Sequence, residues 1–223
     1  MADRPLLLGI AGGSGCGKSW LAGYLKRALG EGCVVICQDW YYRHKGGLPE
    51  ERRRRLNFDH PDSIETPLLL AHLNDLLSGR AVEAPVYDYS SHSRLGPTRR
   101  LEPASLVILE GLLVLQSRRL RGLLDRSVFI DVPADLRLTR RIRRDVEQRR
   151  VDLHETLRLY EHCVRPMHER FVAPSARHAT WVWRQHEDRR FPSELLRGLR
   201  RLLTTDRSGA TTEAHAEANG SLA

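Results

Sequence analysis

The sequence predicts an α/β domain built on a doubly wound, mostly parallel β-sheet flanked by helices. Three observations predict it. Short, continuously apolar runs, the kind that form strands buried on both faces, recur along the chain. Segments with helical spacing of apolar residues separate them, and strands alternating with helices imply parallel pairing. A glycine-rich turn joins the first apolar run to the first helical segment.

Leu6–Ala11 reads as the first buried strand. The segment 19–30, SWLAGYLKRALG, carries Leu21, Tyr24, Leu25, Ala28 and Leu29 on one face, with Gly30 placed as a C-cap. Cys33–Cys37 reads as a second strand. Residues 40–65 are polar, arginine-rich and irregular. Thr66-Pro67 opens a helix, with Thr66 as N-cap, that Leu69, Leu73, Leu76 and Leu77 carry and Gly79 stops. Val82–Tyr89 is strand-like, and Leu106–Leu115 contains a buried strand broken at Glu110-Gly111.

Ser127–Val132 is a further strand. Helices follow over 134–149 and 153–171, the second kinked or divided at Pro166. In the first of these, Leu138, Ile142 and Val146 form a narrow apolar stripe that packs inward. Arginines at 137, 140, 141, 143, 144, 149 and 150 surround it and suggest a mobile lid at about 137–152. Residues 180–184 suggest a last strand and 192–203 a last helix. We take 1–203 as one domain. Residues 204–223 are small and polar, as in disordered tails.

The chain has 223 residues, enough for one full core. Its 36 Lys+Arg against 28 Asp+Glu give a net charge of +8, with lysine only at 18, 26 and 45. An arginine-rich chain suits phosphates, whose geometry the guanidinium fork matches. Nucleic acid is the bland alternative partner for a basic chain. It would call for an aromatic strip beside the basic face, whereas two tyrosines in a short loop suit a single base. Cys16, Cys33, Cys37 and Cys163 form no CxxC pair and read as reduced thiols of a cytoplasmic protein. No stretch reaches membrane-spanning length, and the N-terminus does not read as a signal peptide.

Residues 12–19, GGSGCGKS, match G-x-x-x-x-G-K-[ST]. In such a loop, Gly12, Gly13, Ser14, Gly15, Cys16 and Gly17 turn backbone N–H groups toward phosphate oxygens, at the N-terminus of a helix. Lys18 reaches the β- and γ-phosphates, and the Ser19 hydroxyl suits Mg2+. A nucleoside triphosphate site follows. Asp39 ends the next strand, at the sheet edge where ligands sit. It can act as general base or help hold magnesium; capping a turn is the bland reading. Glu110, a carboxylate inside an apolar run, needs a partner. Magnesium fits, and an arginine is the alternative.

Two polar segments remain, "LNFDHPDS" (56–63) and "PVYDYSSHSR" (85–94). Asp59 can hold sugar hydroxyls. Tyr87 and Tyr89 share a strand face and can flank a ring, and His92 can meet a base edge.

Taken in order, GGSGCGKS, "QDWYY", "NFDHPDS", "PVYDYSSHSR", "ILEG", "FIDVPADLRLTRRIRRD" and "VRPMHERFVAPS" resemble the uridine kinase/phosphoribulokinase family of P-loop kinases, from about residue 5 to 178. The resemblance implies ATP-dependent phosphorylation of the 5′-hydroxyl of uridine, and of cytidine, in cytoplasmic pyrimidine salvage by a homotetramer. It implies Asp39 as base, Lys18, Arg144 and Arg149 as further catalytic groups, and Ser19 and Glu110 on Mg2+. Asp39, Asp59, Tyr87, Tyr89, His92, Arg141 and Arg144 would bind substrate. The alternatives are a kinase of the same family acting on another small alcohol, and a non-catalytic nucleotide-binding regulator. Three departures stand out. Arg150 and Val151 occupy positions where the family usually has Gly and Arg, leaving Arg150 as the available substitute cation. Leu159 stands where some relatives carry a Gln that touches the base. The segment 179–190 diverges near the donor's base.

Overall fold

The computed structural model describes residues 4–213 except 45–46, 50, 53–55 and 90, with side chains to Thr204. Five strands form one parallel sheet: β1 (Leu6–Gly12), β2 (Cys33–Cys37), β5 (Leu106–Glu110), β6 (Arg126–Asp131) and β7 (Trp181–Arg184), in the order β2-β5-β1-β6-β7. The central residues of β1, β5 and β6 are buried on both faces, as their unbroken apolar runs require, whereas the edge strand β7 buries only Trp183. One core layer packs helix α2 (Thr66–Leu77) against Leu7, Ile36, Val107 and Leu109. The short helix α3 (Arg118–Arg121) adds Leu120 to this layer. The other layer packs helices α1 (Lys18–Leu29) and α7 (Phe191–Glu213) against Leu8, Ile10, Leu106 and Ile108. The sheet is therefore covered on both sides, as expected.

The register fixes the working edge. Glu110 pairs with Ile10 on one side and Cys37 on the other. The β1–α1 loop, the end of β5 and the residues after β2 therefore converge at the carboxyl edge of three adjacent strands.

Several expectations need correction. Thr66 is not an N-cap: it is the first helical residue, and Glu65 precedes it without a side-chain cap. Residues 85–94 are not loop throughout. Strand β3 (Val82–Asp88) pairs antiparallel with β4 (Ser93–Leu101), forming a two-stranded ribbon outside the main sheet. Helix α4 (Ala134–Arg143) continues into a wide turn over Arg144–Gln148. Its inward stripe is not Leu138, Ile142 and Val146. Val146 is exposed, and the buried positions are Arg137 and Asp145. Arg137, Arg141 and Asp145 stand four residues apart, so a polar stripe faces the phosphate loop.

Pro166 neither breaks nor ends the segment that starts with helix α5 (Leu153–Leu159). Wide turns at Tyr160–Val164 and His168–Val172 flank the short helix α6 (Arg165–Met167), loosening the ladder on both sides of the proline. Helix α7 runs to Glu213, past the expected boundary at 203; residues 214–223 lie outside the described ones. Among the described residues, no helix is long and apolar enough to cross a membrane.

Candidate active site

A crevice of about 410 Å3 opens at the carboxyl edge of the sheet. Its floor is the β1–α1 loop. Gly15 sits at φ +80°, and a Cβ there would stand 2.4 Å from the Arg137 carbonyl oxygen. At Gly13 the obstacles would be the Arg137 guanidinium at 2.6 Å and the His168 ring at 3.0 Å. The loop is thus pressed against the start of α4, and only glycine fits both contacts. Arg137, held by a 3.0 Å bond from its Nε to the Val132 carbonyl, braces the loop from behind.

Lys18 donates from Nζ to the carbonyls of Gly12 and Gly13 at 3.0 and 3.1 Å. Ser19 donates to Glu110 Oε1 at 2.9 Å. Burial pushes the Glu110 carboxyl up, with Asp39 adding to the rise, while Lys18, the Ser19 hydroxyl and the Cys37 thiol oppose it. A buried carboxylate bonded to a hydroxyl, beside a loop shaped for phosphates, is a hard-oxygen donor pair that suits Mg2+. Among the described residues there is no cluster of three or more His, Cys, Asp or Glu that could hold a metal. Two protein oxygens with water and phosphate completing the shell is the ordinary Mg2+ arrangement.

Asp39 lies in the turn Gln38–Tyr41 that follows β2, and lines the same crevice. The turn is pinned by Gln38, whose Oε1 accepts from the backbone N–H of Leu113 at 2.9 Å. Asp59, Tyr87, Tyr89 and His92 form the opposite wall with Tyr42 and Phe58. The rings pack edge to face: Tyr42 is 5.2 Å from Phe58 and from Tyr87, and Tyr87 is 5.3 Å from Tyr89. His92, at φ +51°, stacks on Phe58 at 5.1 Å with 13° between planes. These rings make this side of the crevice an aromatic slot. Burial pushes the Asp59 carboxyl up, with Arg141 pulling it back.

Helix α4 and the turn after it supply Arg140, Arg141, Arg144 and Arg149 to the crevice. Arg141 donates to Ser14 Oγ at 3.0 Å. The Arg149 guanidinium lies 4.5 Å from the Tyr89 ring centre. Arg150 is exposed and does not line the crevice, so it does not replace the cation absent at Val151. It holds φ +55°, which keeps the left-handed turn that glycine would make there.

Every residue expected from the sequence to form the site lines this crevice, except Gly12, Gly13 and Cys16, which lie beneath the loop surface. Arg137 and Arg140 were expected only as part of the arginine-rich segment over the crevice; Phe58, Cys163 and His168 were not expected from the sequence as neighbours of the site. Leu159, Cys163 and Val164 line it from the long helical segment. A second cavity of about 650 Å3 adjoins and shares Gly15, Gly17, Trp20 and Arg140. Trp183, Gln185, His186 and Arg189 close its far side. There Arg140 donates to Gln185 Oε1 at 2.6 Å.

The chain is similar to known proteins. The model of the phosphoribulokinase / uridine kinase family matches residues 7–190. A uridine kinase from Bacillus subtilis is 42% identical over 180 residues, covering 80% of this chain and 85% of that protein. One from Geobacillus sp. is 41% identical over the same length and coverage. Among solved structures, D-glycerate 3-kinase from Cryptococcus neoformans superposes with a TM-score of 0.57 at 16% identity, covering 78% of this chain and 80% of that one. Phosphoribulokinase from Rhodobacter spheroides gives 0.52 at 17%, covering 76% and 69%. These two show the shared fold.

Proposed function

The chain belongs to the phosphoribulokinase / uridine kinase family, and on that premise we propose that it transfers the γ-phosphoryl group of ATP to the 5′-hydroxyl of uridine, and of cytidine. The observation that carries the reading is convergence. Phosphate loop, Asp39, Glu110, four arginines and an aromatic slot line a single crevice.

The triphosphate lies along the β1–α1 loop, its β- and γ-phosphates taken by backbone N–H groups, by the α1 N-terminus and by Lys18. Its base extends into the second cavity, toward Trp183 and Gln185. The nucleoside base enters the slot, met by His92 and the tyrosines, and Asp59 takes ribose hydroxyls. Asp39 accepts the proton of the 5′-hydroxyl as that oxygen bonds to the γ-phosphorus. The bond from that phosphorus to the β,γ-bridging oxygen breaks, and ADP departs with the electron pair. Arg141, Arg144 and Arg149 stabilise charge on the moving group. Ser19 and Glu110 would hold Mg2+, which when bound neutralises charge on the β- and γ-phosphates.

Family resemblance extends the reading to a homotetramer serving pyrimidine salvage in the cytoplasm. The test is a panel with purified protein and ATP-Mg: each nucleoside, ribulose 5-phosphate and pantothenate, scored by ADP release. Turnover with uridine and cytidine far above the others is expected. Turnover only with a sugar phosphate, or with none, would refute the acceptor assignment.

A further inference from the structure

The lid contains a carboxylate that the reaction itself does not use. Asp145 is buried, 4% exposed, in the wide turn after α4. Three guanidiniums surround it: Arg144 at 2.9 Å, Arg141 at 3.2 Å and Arg149 at 3.6 Å. We propose that Asp145 is a positioning residue that assembles these three arginines at the crevice mouth, so that phosphoryl transfer depends on its charge. The inference rests on the kinase reading given above.

Local backbone geometry explains the convergence. Arg141 and Arg149 stand four residues before and after Asp145, and Arg144 is adjacent. The wide turn tightens the C-terminal side: the Arg149 N–H bonds the Arg144 carbonyl at 3.2 Å, and the Val151 N–H bonds the Asp145 carbonyl at 2.9 Å. The left-handed Arg150 between them turns the chain back. All three cations are thereby drawn onto one carboxylate.

Without that carboxylate the three would repel. Burial and the neighbouring Arg144 already push the Arg149 guanidinium down, and Asp145 opposes this. Asp59 and Asp39 also act on these arginines, but Asp145 is the carboxylate ion-paired to all three, so without it the like-charged trio separates. The paired trio instead keeps two useful contacts. Arg141 reaches Ser14 on the phosphate loop, and Arg149 lies over Tyr89 in the base slot. One buried carboxylate therefore links lid, phosphate loop and acceptor pocket. The three cations outnumber the one carboxylate ion-paired to them, so the cluster keeps guanidinium groups for phosphate.

The test uses full-length Asp145→Asn and Asp145→Glu, with kcat, KM for each substrate, ATP affinity by calorimetry, and melting temperature. Displaced arginines lower kcat of Asp145→Asn by about 10²-fold, the usual penalty for a misplacement near 1 Å. The loss falls mainly on kcat, and the uridine KM rises severalfold through the Arg149 contact on Tyr89. Asp145→Glu, which keeps the charge, recovers about tenfold of the loss. Unchanged kcat in Asp145→Asn overturns the proposal. So does tighter ATP binding with raised kcat, which would make Asp145 a latch that phosphate displaces. So does a loss in both variants that only tracks the unfolded fraction. Should Asp145→Asn fail to fold, Asp145→Glu decides: kcat per folded molecule falls severalfold, and an unchanged kcat overturns the proposal. A wild-type protein inactive on every nucleoside would refute the kinase reading instead. ATP affinity would then test Asp145, with about tenfold weakening in Asp145→Asn supporting it and none overturning it.

Discussion

Replacing Gly15 with alanine tests whether the phosphate loop is held in place by α4. A Cβ at Gly15 would stand 2.4 Å from the Arg137 carbonyl oxygen and 3.1 Å from its carbon. Ordinary contact begins near 3.4 Å, so loop and helix must part by about 1 Å. Backbone atoms cannot rotate aside as a side-chain tip would. The residue also holds φ +80°, which costs an alanine about 1–2 kcal/mol. A 1 Å displacement of phosphate-binding N–H groups lowers kcat/KM for ATP by about 10²-fold. Gly79 supplies the control. It has a similar φ of +76°, but a Cβ there would meet nothing within 4 Å. Gly79→Ala therefore loses about 1–2 kcal/mol of stability, a fall of about 2–8 °C in Tm, with unchanged kinetics. Steady-state kinetics and thermal melts of both variants make the comparison. Gly15→Ala with kcat/KM within about threefold of wild type would refute the claim that this contact sets the loop.

Two further outcomes are expected. His92→Ala removes the ring stacked on Phe58, so KM for uridine rises about tenfold while ATP affinity is unchanged; equal weakening of both would count against a base-slot role. His168, beside Gly13 and near Arg137 and Lys18, has its imidazole pushed down to about 4 by burial and those cations. The folded protein therefore keeps it neutral while the unfolded chain protonates it below about 6.5. Its contribution is full above that pH and is lost as pH falls from about 6.5 to 4. Melting scans should show a Tm that drops across this window in the wild type and drops less in His168→Phe; parallel curves would remove His168 as the cause.

The parts of the site with strict local chemistry were legible from the sequence. The β1–α1 loop is spelled by its glycines, and the buried acid in "LVILEG" stood out because carboxylates rarely interrupt a core strand. The inner face of α4 was not legible. Leu138, Ile142 and Val146 carry a helical period, and a hydrophobic stripe is the usual inward face. Here Arg137 and Asp145 are buried instead, because the surface opposite is a phosphate loop rather than a core. Helical periodicity reports which residues share a face, not what that face meets. The β4 strand was hidden for another reason. Its Gly96-Pro97 and scattered arginines carry no alternating apolar period, and pairing with β3 across the ribbon makes it a strand. At Pro166 the segment is divided into wide turns and a short helix rather than broken, an adjustment that single-residue rules do not specify.

The central claim is that Asp39 removes the proton from the sugar hydroxyl. Its most direct test is Asp39→Asn, with single-turnover phosphorylation of uridine and ATP affinity measured on the same preparation. The account predicts that the rate falls by about 10²–10⁴-fold, the range for a lost general base, while ATP affinity stays near wild type. A near-normal rate in a folded variant that binds ATP would contradict it.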